Sequence, residues 1–353
     1  MKILYLLEPQ QDYGEFYMYG GLCELLGEDN EVMYPSKLSY LGIGDKYYTL
    51  DDGKRGCTHP ASYVKIRNPK ILTLEEIIEN IKSFDFMVLS SPRTYPVRAL
   101  RFIRKYFGGN PIPLIYTDHE DGDNIRYDLI KEFEPDVIFK RELINPIENI
   151  YPLPFSSCVP YLPIYKELLN LEKKYDVFGL FGNTNQLRVK AVESLLPKYY
   201  KNSCIGIDTG VVPWQDDTRF EIPPLKGYNE YLEIMALSKI NLVIKGHGFD
   251  TVRRFEAMTF DGLVISDKLP LLTPYLPIDG KHIVYFNDIK DLEDKIDYYL
   301  KNDEKRIEIA KAGQEYAQKY HTNLARANYL LDIVSKSLSG EKVNLDKYEI
   351  GVA

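Results

Sequence analysis

Much of what would assign this sequence to a membrane, secreted or metal-dependent class is missing from it. Four cysteines (Cys23, Cys57, Cys158, Cys204) are scattered among 353 residues, with no C-x-x-C and no metal-ligand spacing. That excludes a disulfide framework or a zinc module and leaves reduced thiols as the expectation. Long apolar runs are lacking too. Met1 to Leu7 is too short for a signal peptide, and Glu8-Pro9 interrupts it where a cleavage site should follow. No run reaches the length of a membrane span, so a cytoplasmic protein is expected. Positive charge is not in excess: 44 Lys and Arg against 52 Asp and Glu leave a net charge of −8. This balance argues against a phosphate-backbone binder. Neither a P-loop nor a serine nucleophile elbow is present.

What is present is material for two cores. A hydrophobic content of 44% with 27% charged residues is that of a globular protein, and the length exceeds what one core holds. Short apolar runs read as buried strands at 3–7, 86–89, 112–116 and 136–139, and again at 175–181, 203–207, 240–244, 262–267 and 283–286. Helical spacing lies between them, at 20–27, 74–81, 97–107, 125–134, 187–196, 228–238 and 292–300, followed by long helices at 303–319 and 322–338. Strand and helix in alternation predict parallel sheets covered by helices. The proline-rich stretch 151–163 breaks the pattern and reads as a linker. Residues 34–68 and 208–225 have no clear period. The tail from Gly340 has none either and is expected to be mobile.

The most informative stretch is Lys245 to Met258 (KGHGFDTVRRFEAM), set between two predicted strands. A glycine turn, a helix expected to be capped by Asp250 and the guanidiniums of Arg253 and Arg254 together make an anion site of the kind a diphosphate fills. Arg253 and Glu256, three apart, share a helix face; by spacing alone they are equally an ordinary surface ion pair. Lys245 ends its strand within reach of a phosphate, and His247 could touch a sugar hydroxyl or only close a turn. A second glycine turn, Gly182-Asn183-Thr184-Asn185, lies between strand and helix, with Arg188 one turn into that helix. In the first half, strand-end loops hold the polar residues Asp12 and Tyr13, 90–94, and Asp118-His119-Glu120-Asp121. Asp12, Asp118 and His119 are candidates for a general base by their strand-end position. The acidic cluster lacks partners at metal spacing. His59 and His321 suggest only surface or helix-cap roles.

These residues resemble a known family. Residues 231–244, Arg253 to Met258 with Gly262 to Asp267, 291–300 and 306–321 are similar to the group 1 glycosyltransferase domain of CgeB-like proteins. Thr117-Asp118, Pro152 to Phe155 and 176–188 look like it as well. The resemblance implies the α/β GT-B fold: two Rossmann-like parallel-sheet domains facing across a cleft. The expected division is an acceptor-side domain at 1–155, a nucleotide-sugar donor domain at 156–320, and a helix with tail at 321–353 that returns to the first domain. It implies a hexosyl- or pentosyltransferase taking a nucleotide-diphosphate sugar, with a UDP-sugar the commonest choice, as co-substrate and no other cofactor. By the same resemblance Glu256 contacts the ribose, Arg253 the diphosphate, and Gly182, Asn183 and Arg188 the phosphates. Lys245, His247, Gly248 and Asp250 complete the donor list. Retaining relatives carry a glutamate eight residues before the ribose glutamate; here that position is Gly248, which leaves retention or inversion open. GT-B enzymes do not in general need a bound metal, so none is expected. The acceptor (protein, glycan, lipid-linked sugar or modified nucleic acid) and the oligomeric state stay open. A nucleotide-sugar epimerase or hydrolase, and a catalytically silent nucleotide-binding scaffold, are the alternatives.

Overall fold

The computed structural model describes residues 1–8, 13–27, 31–34, 72–208 and 227–353. Two parallel sheets organise them. The first runs β2-β1-β3-β4-β5-β6, where β1 is Ile3–Leu6, β2 Glu31–Tyr34, β3 Phe86–Leu89, β4 Leu114–Asp118, β5 Val137–Lys140 and β6 Ile150–Pro152. The second runs β11-β10-β9-β7-β8, from β7 (Tyr175–Gly182), β8 (Cys204–Asp208), β9 (Ser238–Val243), β10 (Leu263–Asp267) and β11 (Val284–Phe286). Counted from the first strand of each, both sheets share the order 2-1-3-4-5. Chain direction across each sheet therefore reverses between β1 and β3, and between β7 and β9. Loops leaving strand C-termini on either side of such a switch diverge and open a crevice.

Local sequence accounts for most elements. Strands β1, β3, β4 and β5 are buried at every position, as continuous apolar runs in a two-faced sheet require. Helix α1 is Tyr13–Leu26, followed by α2 (Leu74–Asn80), α3 (Thr94–Phe107), α4 (Tyr127–Phe133) and α5 (Tyr165–Leu168). Thr73 and Glu76 close a reciprocal capping box on α2. Gly108 ends α3 with φ 74°, a left-handed conformation glycine adopts without penalty. The second half adds α6 (Gln186–Tyr199), α7 (Tyr228–Ala236), α8 (Val252–Met258), α9 (Ile289–Lys301), α10 (Asp303–Tyr320) and α11 (Asn323–Leu338).

Several expectations need correction. Helix α1 begins at residue 13 rather than 20. Its glycines weaken the helical signal, but packing requires the one at Gly21. A Cβ on Gly21 would stand under 3.0 Å from the Asn323 carbonyl, so its absence lets α11 lie directly against α1. The strands β2 and β6 carry too little pattern to be read from sequence, and β6 holds Pro152 at the sheet edge, where a missing N–H is tolerated. The helix of 321–353, α11, lies against α1 as expected, whereas α10 packs on α8, α9 and β10. The tail is ordered. Residues Leu345–Tyr348 form a 3₁₀ turn, Gly351 and Thr273 exchange backbone hydrogen bonds at 2.9 and 3.1 Å, and Tyr348 is buried. Its ring packs edge-on to Tyr275 and Tyr329. Aromatic contact, which has no period, anchors this segment.

The linker is braced at its middle. Ser157 N–H donates to His321 O (2.8 Å) and Asn323 N–H donates to Ser157 O (3.0 Å), pairing the linker with the start of α11. His321 is not a surface residue. It is fully buried, stacks on Phe255 with 4.1 Å between centroids, and burial beside Arg326 drives its imidazole well below the usual histidine range.

Candidate functional site

Two βα turns meet at the switch point of the second sheet. Strand β7 ends at Gly182 and α6 begins at Gln186; strand β9 ends at Val243 and α8 begins at Val252. Asn185 ties the two turns together. Its Oδ1 caps α6 by accepting from Leu187 N–H (3.0 Å) and Arg188 N–H (3.2 Å). Its Nδ2 donates to the carbonyls of Lys245 (2.5 Å) and Gly246 (2.9 Å) on the other turn. Arg188 reinforces the joint, with Nη2 on Ile244 O (2.7 Å) and Nη1 on Gly182 O (3.1 Å). A glycine turn by itself implies neither role; the one signal for Asn185 is its position directly before the helix, where an N-cap belongs.

Positive charge gathers at this joint. The guanidiniums of Arg188 and Arg253 lie 5.5 and 5.2 Å from the centroid of the same ring, Phe181. Burial, reinforced by the Arg253 charge, pushes Arg188 down to about 9, so it is still a cation at neutral pH. Arg253 Nη1 and Thr184 Oγ1 are buried with no hydrogen-bond partner among the described residues. Two close guanidiniums, one with an unused buried donor, form a place where an anion lowers the energy. Arg254 does not join them. It is buried toward the sheet, with Nη2 on Ser266 Oγ (3.3 Å) and the Asp267 carboxylate nearby.

Glu256 occupies a different environment from the one its helix spacing suggests. It has no exposed surface, and three tyrosine hydroxyls donate to it: Tyr17 (3.0 Å) and Tyr228 (2.6 Å) on Oε1, Tyr231 (3.3 Å) on Oε2. No ion pair links it to Arg253. Tyr231 bridges them instead, its hydroxyl accepting from Arg253 Nε at 3.1 Å. Burial raises the Glu256 carboxyl above its ordinary value, opposed by the Tyr228 and Tyr17 hydrogen bonds and by the Arg253 charge. Tyr17 comes from α1 in the first domain, so this carboxylate is shared across the two halves of the molecule. The tyrosines were indistinguishable in a chain that has 29 of them.

The remaining donor candidates divide. Gly182 and Asn183 lie on the first turn, with Asn183 buried. Lys245 extends over the Phe249 ring (4.9 Å), and its N–H donates to Asp267 Oδ2 (3.2 Å). His247 is exposed. Asp250 does not cap α8, whose N-cap is Thr251 without a side-chain bond. Its carboxylate turns away and accepts from Phe155 N–H (2.7 Å) and Thr251 N–H (2.9 Å), holding the linker.

The first domain reaches this turn through carboxylates. A Cβ on Gly248 would stand under 3.0 Å from both Glu142 Oε1 and Asp121 Oδ1. Glu142 is fully buried and accepts from Asp250 N–H (2.9 Å) and Gly122 N–H (2.7 Å). Arg141 pairs with Asp121 and with Glu142 (3.0 Å) while lying over the Phe155 ring. Arg141 and Glu142 belong to no recognisable motif, and only their place at the exit of β5, the end where loops carry function, marks them. Asp118 and His119 are both buried at the exit of β4. Asp118 pairs with buried Lys140 (3.2 Å); burial raises its carboxyl and Lys140 opposes that rise. His119 packs on Gly14 of α1, where a Cβ would collide with the imidazole. Asp12 lies outside the described residues. No group of three metal-ligating side chains occurs among the described residues.

Residues 186–332 match the family described as glycosyl transferase-like. No curated protein matches the sequence. Among solved structures, Anabaena HepE in complex with UDP and glucose is similar over 95% of this chain and 100% of its own, at 12% identity and a TM-score of 0.59. A glycosyltransferase from Rickettsia africae is similar over 96% and 99%, at 12% identity and 0.57. Sucrose-phosphate synthase from Thermosynechococcus elongatus is similar over 97% and 100%, at 12% identity and 0.52. These likenesses are to the whole two-domain frame, while the family match starts directly after the 182–185 turn and contains the 245–248 turn. The chain has the GT-B fold, and residues 186–332 of it are similar to the glycosyl transferase-like family.

Proposed function

We propose that the protein transfers a glycosyl group from a nucleoside-diphosphate sugar to an acceptor hydroxyl, without a metal ion. One observation carries this reading: at the switch point, where a GT-B fold takes its nucleotide, two glycine turns are joined by Asn185 beside the close cations Arg188 and Arg253. In this reading the diphosphate sits on the 182–185 and 245–248 turns. Lys245 and the two arginines offset its charge as it leaves, the task a metal performs elsewhere. Glu256 holds the ribose. Tyr231 donates to it at 3.3 Å, the longest of its three bonds, so this is the hydroxyl that ribose would replace. The UDP held by HepE makes uridine the first base to test.

The acceptor enters from the first domain. His119, with Asp118 beside it, is the proposed base that accepts the hydroxyl proton if the configuration inverts. The new glycosidic bond forms as the bond to the diphosphate breaks, and the nucleoside diphosphate leaves. Binding of UDP-glucose and UDP by calorimetry, then sugar transfer followed by mass spectrometry, tests the reading. Glu256→Ala should abolish nucleotide binding while the protein stays folded; wild-type affinity in that variant would remove the ribose assignment. Incubating donor without acceptor separates an epimerase or hydrolase from a transferase, because only the former alters the sugar.

A further inference from the structure

We propose that the outer face of α3 is a docking surface for an anionic lipid bilayer. The chain as a whole is acidic, at −8, yet α3 carries Arg98, Arg101, Arg104 and Lys105 and no acidic residue. Its inner side is buried through Val97, Leu100 and Ile103. The outer side is aromatic as well as basic. Tyr95, Phe102, Tyr106 and Phe107 are 42%, 51%, 65% and 38% exposed, which makes four of the twelve large apolar side chains exposed among the described residues. Tyr95, Arg98, Phe102, Lys105 and Tyr106 follow at intervals of 3, 4, 3 and 1, a single stripe along the helix.

Not all of the charge is available. Arg101 forms a two-point pair with Glu132 of α4 (2.6 and 2.7 Å), and Arg104 is taken up by Asn110, Phe133 O and, at 3.9 Å, Glu134. Arg98 and Lys105, the two cations interleaved with the rings, pair with no carboxylate among the described residues. The end of the helix is bare as well: a Cβ on Gly108 or Gly109 would meet nothing within 4 Å. A helix whose outer side alternates ring and cation, ending in an open glycine tip, fits a headgroup layer, where rings settle at the interface and cations meet lipid phosphate. A bilayer touches this face alone, within the reach of unscreened charge. A long polyanion would also meet the acidic remainder of the chain. No helix among the described residues is long and apolar enough to cross the bilayer, so the contact is at its surface.

The test is sedimentation of the full chain with vesicles of phosphatidylcholine containing about 30% phosphatidylglycerol, compared with pure phosphatidylcholine. We expect at least about fivefold more protein on the anionic vesicles, falling toward the neutral level in about 0.5 M salt. Phe102→Ser with Tyr106→Ser, and separately Arg98→Glu with Lys105→Glu, should each lower binding about tenfold with an unchanged melting temperature. Equal partition to both vesicles, no partition, or full binding by either pair of variants overturns the proposal. So does a wild-type dimer dissolved by these substitutions, or retention of a single-stranded oligonucleotide in place of vesicles. Glu256→Ala should bind vesicles like the wild type, so failure here is distinct from failure of the donor-site reading.

Discussion

The hydroxyl of Tyr17, in the first domain, donates to the carboxylate of Glu256, in the second, at 3.0 Å. Both residues are buried, and they are 239 positions apart. The bond fixes how far α1 and α8 can separate while this buried carboxylate stays satisfied. Tyr17→Phe keeps the ring and removes one donor from a buried carboxylate, which should cost about 1.5–3 kcal/mol. Urea unfolding measures this; a change in the midpoint too small to resolve would mean that the hydroxyl does not hold Glu256.

Glu256 also predicts a pH dependence. Its folded value is raised, because burial disfavours the charged form more than the tyrosines restore it. A raised carboxyl contributes stability that is full below the unfolded value, near 4.3, and is lost as pH rises through the folded value. Glu256→Gln removes this titration. The stability of the variant relative to wild type should therefore improve as pH rises from about 5 to about 8. Parallel melting curves over that range would contradict the sign.

Gly248 has no left-handed backbone to protect, so the obstacle at this position is spatial. Asp121 is exposed and can swing aside, but Glu142 is buried and held by two backbone amides. Gly248→Ala should force the two domains apart locally and cost about 1–3 kcal/mol. Donor turnover should fall with it. Unfolding and activity measured on the same preparation check the pair, and a fully stable Gly248→Ala protein would contradict the contact.

Asn185 does two separable jobs. Asn185→Asp keeps the oxygen that caps α6 and loses the amide that grips Lys245 and Gly246; Asn185→Ala loses both. The alanine variant should lose about 1 kcal/mol more than the aspartate through the missing cap. Both should bind a nucleoside diphosphate more weakly, the aspartate more so, since it adds a negative charge beside the phosphates. Calorimetry and thermal unfolding separate these effects.

Tyr348 closes the tail against Tyr275 and Tyr329, and its hydroxyl bonds Asp332. Tyr348→Ala should destabilise by about 3 kcal/mol, as truncating a large buried ring does. Proteolysis after residue 340 should become faster. Resistance equal to that of the wild type would show that the tail is not held by this ring.

The sequence by itself determined the local terms. Apolar runs such as 86–89 and 240–244 admit only buried parallel strands, Gly108 stops its helix, and the order of strand and helix calls for two sheets. It also placed the two turns after β7 and β9, since strand ends are where such sheets bind ligands. It did not determine what each polar group faces. Arg253 and Glu256 lie on one helix face, yet three tyrosines drawn from α1 and α7 lie between a surface pair and a buried carboxylate. Asp250 has the position of a cap and serves the linker 95 residues away. Helix periodicity extends over a few turns, whereas burial and hydrogen-bond partners depend on chain brought in from hundreds of residues away. Only the packing of α1, α7 and the linker around α8 decided those.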